Sequence, residues 1–147
     1  MTAPTAPIAQ ECVEGYLYAA PPLELLLFRR PPARGRIWVP VSGKVEPSDR
    51  SYEAALRREL SEETGLTDPA RVDPLDWAVT FPMEGALWRL HAYAVKVDRS
   101  FVPRLSSEHD ASAWLPTDAA IARLHYDDNR AAVRRLAARL SGAAPNV

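Results

Sequence analysis

A layered fold of the α+β or α/β class is expected from three features of this chain. Strand-like apolar runs dominate its middle, chiefly Leu23 to Arg30 (LELLLFRR) and Leu87 to Val97 (LWRLHAYAVKV). Helical patterns are few, one acidic and central, one at the C-terminal end. The 147 residues suffice for one proper core and are too few for two. Strands mixed with a few helices pack best as layers around that core.

Taken in order, residues 1–10 read as a short disordered tail, 11–142 as a single domain and 143–147 as a second tail. Val13 to Ala19 reads as the first strand, and Pro21-Pro22 as a turn. Leu23 to Arg30 is a buried second strand ending in two arginines. A loop from Pro31 to Arg36 leads to the apolar run Ile37 to Val41, then to a glycine turn at Gly43-Lys44. A helix is expected from about Ser51 to Thr64, capped by Asp49 or Ser51 and stopped by Gly65, with Ala55, Leu56 and Leu60 toward the core. Asp73 to Phe81 holds a third strand, and Pro82 to Gly85 a turn. Leu87 to Val97 alternates Trp88, Leu90, Ala92 and Ala94 against Arg89, His91, Tyr93 and Val95. Ala111 to Leu115 is a short strand. Thr117 is expected to cap a short helix to about Leu124, and Asp127 or Asp128 a last one. That last helix lines up Ala132, Val133, Leu136, Ala137 and Leu140 and ends at Gly142.

Charge and cysteine narrow the partners. The formal net charge of −1 argues against a nucleic-acid duplex, which a strong basic excess would mark. It leaves room for a small phosphorylated substrate, which needs only a local patch. One cysteine, Cys12, offers no internal disulfide and reads as a small buried apolar residue. No run approaches the ~20 apolar residues of a membrane span, and the first residues lack the basic start and apolar core of a secretory signal. A cytoplasmic protein, monomeric or homodimeric, is expected.

The most informative stretch is Arg58-Glu59-Leu60-Ser61-Glu62-Glu63-Thr64-Gly65-Leu66. On a helix Glu59, Glu62 and Glu63 are i, i+3 and i+4, so three like charges crowd one face. A solvated glutamate-rich face is the ordinary reading of a bare E-x-x-E-E. Here, however, the acids sit inside a unit of strand, glycine, acidic helix and tight stop. A divalent cation would relieve the crowding, because Mg²⁺ and Mn²⁺ take hard oxygen ligands.

The segment from Gly43 to Leu66 resembles the signature of Nudix hydrolases, G-x5-E-x7-R-E-U-x-E-E-x-G-U with U aliphatic. Its second half matches at every specified position. The first half departs: Gly43 comes one residue early, Arg50 stands where the family has Glu, and Asp49 is the substitute. The loop thus carries a one-residue insertion and a shorter acid. The resemblance implies an α/β/α sandwich with a mixed sheet, and hydrolysis of phosphoanhydride bonds with Mg²⁺ or Mn²⁺. It implies Glu59 and Glu63 as direct metal ligands, Glu62 sharing the site, the Gly43 carbonyl as a further ligand, and Arg58 orienting a signature carboxylate.

Farther on, Glu108-His109-x4-Trp114-Leu115 followed by a helix resembles the matching stretch of diadenosine tetraphosphate hydrolases and dihydroneopterin triphosphate pyrophosphatases. That implies Glu108 as a further metal ligand or general base. His109 is more often structural, His91 could face pocket or solvent, and His125 receives no role. Arg29, Arg30 and Lys44 are candidate phosphate contacts, and Trp38 and Tyr126 candidates to stack on a base. Trp77 and Trp88 are assigned to the core. The expected substrate is a small nucleotide, a dinucleoside polyphosphate first, a nucleoside or pterin triphosphate second. A non-catalytic nucleotide-binding domain is disfavoured because all three helix acids stand. An isomerase on the same fold is disfavoured because Cys12 is poorly placed for one.

Overall fold

The computed structural model describes residues 6–142. Seven strands and three helices follow one another as β1 (Ile8–Ala19), β2 (Glu24–Arg29), β3 (Trp38–Val39), β4 (Val41–Lys44), α1 (Tyr52–Thr64), β5 (Arg71–Met83), β6 (Ala86–Lys96), β7 (Ala111–Pro116), α2 (Thr117–Arg123) and α3 (Asp127–Leu140). The expected tail to residue 10 is too long, since Ile8 already opens β1 and pairs with Leu87. The proposed tail at 143–147 lies outside the described residues.

The seven strands form one mixed sheet. β1 runs parallel to β6 along almost its whole length, and β6 is antiparallel to β5. The other edge of β1 is shared. Its C-terminal part pairs with β2 (Leu17 with Leu26), and its middle pairs with β4 (Val13 with Gly43). β1 and β2 therefore splay apart, and β3 and β4 fill the gap. β7 pairs with the far edge of β2.

Side chains alternate across a strand, so each face of the sheet needs a cover. Val13 and Leu17 of β1 meet Ala55, Leu56 and Leu60 of α1, as the helix pattern predicts. Tyr16 and Tyr18 meet Ala120 and Leu124 on the α2 side and Ala132, Val133 and Leu136 of α3. The result is the expected α/β/α layering, with a core on each face.

Ser51 caps α1, accepting from the Ala54 amide, and Gly65 stops it at φ +77°. The other two caps differ from expectation. Thr117 is the first residue of α2, behind Pro116, and Asp127 the first of α3, behind Tyr126; neither helix has a side-chain cap. Leu140 ends the predicted stripe of α3 but stays exposed. Gly43 also differs: it lies inside β4, with no turn. Near Pro74 and Trp77 β5 carries a bulge, whose carbonyls accept from Arg135 and Arg139 of α3.

Candidate active site

The splayed strands open a cleft of about 720 Å³. α1 contributes Glu59 and Glu63, the loop before β7 contributes Glu108 and His109, and the start of α3 contributes Asp128 and Asn129. Arg30, Arg34 and Lys44 bring positive charge.

Glu59 and Glu63 are one helical turn apart and both 8 % exposed, whereas Glu62 turns largely to solvent. Burial raises the Glu59 carboxyl above its ordinary value, against the pull of Arg58. Burial, then the charges of Glu108 and Glu59, push Glu63 up to about 7. These are carboxylates held without enough positive charge around them.

Gly43 explains how they fit. A Cβ there would sit 2.1 Å from Glu59 Cδ, so only glycine lets α1 lay this carboxylate against β4. The space matters more than the backbone angle.

Arg58 is the brace. Its Nε donates to Asp49 Oδ1 at 3.1 Å and its Nη2 to Asp49 Oδ2 at 2.9 Å. Nη1 donates to Glu59 Oε1 at 2.8 Å, and Nη2 also reaches the Lys44 carbonyl at 3.0 Å. The guanidinium thus ties loop, strand and helix together. Asp49 sits behind it, accepting from the Glu46 amide at 2.8 Å. Arg58 holds its carboxyl below the ordinary range. Asp49→Ala is therefore expected to lower kcat/KM far less than Glu59→Gln, because Arg58 retains Lys44 and Glu59. Steady-state kinetics of both variants check this; an equal loss would make Asp49 a direct participant.

Glu108 pairs with Arg34. His109 is buried against the Phe28 ring, and its Nδ1 lies 3.4 Å from Glu63 Oε2 without hydrogen-bond geometry. Burial lowers this imidazole to about 4, so it is neutral at pH 7 and brings Glu63 no compensating charge.

Of the candidate substrate contacts, Arg30, Lys44 and Tyr126 line the cleft. Arg29 does not: its Nε binds Asp110 Oδ1 at 2.8 Å. Nor does Trp38, which packs on the α3-side core beneath Arg123. Their absence follows from strand parity, since neighbours in β2 and β3 point opposite ways. Trp77 packs against the core as expected, but Trp88 lines the cleft with Lys44 Nζ 4.9 Å from its ring centroid. His91 faces neither pocket nor open solvent: it stacks on Tyr52 and reaches Glu11 Oε1 at 2.9 Å. His125 lies edge-on to Tyr126.

The sequence reading missed Arg34, Phe81, Trp88, Glu14 and Asn129 as cleft residues. The alternation in Leu87 to Val97 puts Trp88 and Leu90 on one face, which was the available signal. Nothing local marked Glu14 or Asn129.

The NUDIX domain model matches residues 18–137. Among curated proteins, an octanoyltransferase of Myxococcus xanthus is 38 % identical over 122 residues, covering 80 % of this chain and 33 % of its own length. An 8-oxo-(d)GTP phosphatase of Mycolicibacterium smegmatis is 34 % identical over 118 residues, covering 80 % of this chain and 34 % of its own. The chain thus spans about a third of the length of these relatives. Among solved structures, a C. elegans Ap4A hydrolase superposes with TM-score 0.76 at 22 % identity, over 91 % of this chain and 99 % of that one. An E. coli dihydroneopterin triphosphate pyrophosphohydrolase gives 0.74 at 20 %, over 88 % and 97 %. Those two likenesses concern the fold.

Proposed function

The chain belongs to the NUDIX family, and we propose that its cleft hydrolyses a phosphoanhydride bond in a nucleoside polyphosphate. The observation that carries this is the pair of buried, under-neutralised carboxylates Glu59 and Glu63, facing a cleft that also holds Arg30, Arg34 and Lys44.

A divalent cation suits the acidic end. The donors are hard oxygens, Gly43 leaves no side chain in the way, and burial has lifted both carboxyls for want of positive charge. Among the described residues no three potential ligating side chains already converge on one point. Glu59, Glu63 and the Gly43 carbonyl would hold the cation, with Glu62 and Glu108 in support. Bound there, Mg²⁺ or Mn²⁺ would polarise a phosphoryl oxygen and acidify a water.

The remaining work falls to the chain itself. Arg30, Arg34 and Lys44 neutralise and align the phosphate chain. Arg58 keeps Glu59 in place. Tyr126 and Trp88 offer aromatic faces to a base. Glu108 takes the proton from the attacking water.

The leading substrate is a dinucleoside polyphosphate such as diadenosine tetraphosphate, supported by the Glu108-His109 stretch lying in the cleft. A nucleoside triphosphate is the second reading, favoured by the 34 % identity to an 8-oxo-(d)GTP phosphatase. A nucleotide panel with Mg²⁺ and Mn²⁺, products identified by mass, separates them. The first reading gives mono- and triphosphates; the second gives a monophosphate with pyrophosphate, or a diphosphate with phosphate where the terminal bond is cut. Turnover is expected to stop in excess chelator. No turnover of any nucleotide, or full turnover with chelator, would sink the proposal.

Glu108→Gln tests the base. It is expected to lower kcat more than it raises KM, because proton removal matters as charge develops in the transition state. The acidic limb of the parent pH–rate profile should shift or vanish in the variant. An unchanged limb with only a raised KM would make Glu108 a substrate contact.

A further inference from the structure

His109 is a buried histidine for which the hydrolytic reading has no use. Its backbone is pinned on both sides. The His109 amide donates to the Ser106 carbonyl at 3.4 Å, and the next amide, of Asp110, to the Arg29 carbonyl at 2.9 Å. The ring centroid lies 5.3 Å from that of Phe28. The side chain is 5 % exposed, yet it lines the cleft. Of the two ring nitrogens, Nδ1 is the one buried without a hydrogen-bond partner, and it stands 3.4 Å from Glu63 Oε2.

Packing alone does not account for a histidine here. An apolar side chain would fill the place beside Phe28 and leave no buried nitrogen unpaired. The neighbour also decides the tautomer. A carboxylate oxygen only accepts, so a lone pair on Nδ1 would face it acceptor to acceptor, whereas an N–H on Nδ1 meets a partner. The last torsion of Glu63 is soft, so a small turn of the carboxylate brings the pair toward the usual ~2.9 Å. An uncharged donor suits this carboxylate. A lysine or arginine would neutralise it, but a neutral imidazole orients it and leaves its charge for a cation.

We propose that His109 is a positioning residue: its Nδ1–H donates to Glu63 Oε2 and leaves Oε1 as the oxygen offered to the cation. Hydrogen-bond partners behind a ligating carboxylate set its orientation and thereby the affinity of the site. The inference rests on the hydrolytic reading of the cleft, and it concerns how tightly the cation is held, not the transfer of the proton.

Two measurements at pH 8 on nucleotide-free protein test it. Nitrogen-15 NMR reads the tautomer of His109, its signals identified by their loss in His109→Asn. A proton on Nδ1 is expected; one on Nε2 would overturn the proposal. Mn²⁺ affinity is read from the EPR signal of the free ion, and the Mn²⁺ concentration for half-maximal turnover repeats the comparison with nucleotide bound. His109→Leu fills the space beside Phe28 and donates nothing, and it is expected to weaken Mn²⁺ by about 10- to 100-fold. His109→Asn sets an amide N–H where Nδ1 stood and should bind closer to the parent than to His109→Leu. Parental affinity in His109→Leu would overturn the proposal. So would an equal loss in both variants, as a packing role requires. Should His109→Leu fail to fold, a loss of about tenfold or more in His109→Asn would have the same force. Nucleotide turnover with parental Mn²⁺ affinity in His109→Leu would sink this proposal alone. A parent that binds no Mn²⁺ and hydrolyses no nucleotide would sink the hydrolytic reading, and this one with it.

Discussion

Glu63→Gln is expected to lower kcat/KM by at least about a hundredfold, since losing even a supporting group around a metal ligand costs ~10–100-fold. Glutamine keeps the shape and removes the charge. Burial and its acidic neighbours push the Glu63 carboxyl up to about 7, so its charge is poorly tolerated unless a cation offsets it. Stability should therefore move the opposite way. The folded value lies above the unfolded 4.5, so the folded state binds the extra proton. The stabilising contribution of that proton is complete below about 4.5 and is lost as pH rises to about 7. Without cation, Glu63→Gln should gain melting temperature over the parent across that window and hold the gain above it. His109 runs the other way, its imidazole disfavouring protonation in the fold, but it is present in both proteins. Added Mg²⁺ should raise the parent's melting temperature more than the variant's. Near-parental activity with equal cation response would show that Glu63 holds no cation.

Gly43→Ala is the second large effect, and a single methyl group causes it. The new carbon would stand 2.1 Å from Glu59 Cδ and 2.4 Å from Oε1. β4 cannot retreat, because Gly43 is registered against Val13 of a central strand. The Glu59 carboxylate must swing away and lose its 2.8 Å bond from Arg58. A displacement near 1 Å in a catalytic arrangement can cost ~10²-fold. Because the far end of one side chain can move, the fold should lose less than the ~1–3 kcal/mol of overpacking in a rigid core. The variant should melt near the parent and turn over about a hundredfold more slowly. Parental kcat/KM would show that Glu59 works from another position.

Local signals made α1 and its acids legible: the Ser51 cap, the Gly65 stop and the 3.6-residue spacing all lie within a few residues of one another. The strands were equally plain where β-branched and apolar residues alternate. Three kinds of information were not local. The splitting of β1 between β2 and β4 depends on pairing far apart in sequence, so Gly43 read as a turn although it is a strand residue pressed on Glu59. The parity of short strands decided that Arg30 enters the cleft while Arg29 pairs with Asp110. Glu14 and Asn129, 115 positions apart, meet only because α3 closes over β1. An isolated Glu in one strand and an Asn in one helix carry no sign of each other.

The extra residue between Gly43 and Arg58 illustrates how motif length and site geometry come apart. β4 is locked to β1, and the Val45 amide continues that ladder to Glu11. α1 is seated by Ala55, Leu56 and Leu60 and starts at Ser51. The distance from Gly43 to Glu59 is set across the fold by those contacts, while the intervening loop needs only to deliver one acid behind Arg58. Insertions or deletions there can drift through a lineage without moving the carboxylates. A search that demands fixed spacing would then discard chains whose catalytic geometry is intact, and one built on the paired anchors, Gly43 on its strand and Arg58-Glu59 on its helix, would keep them.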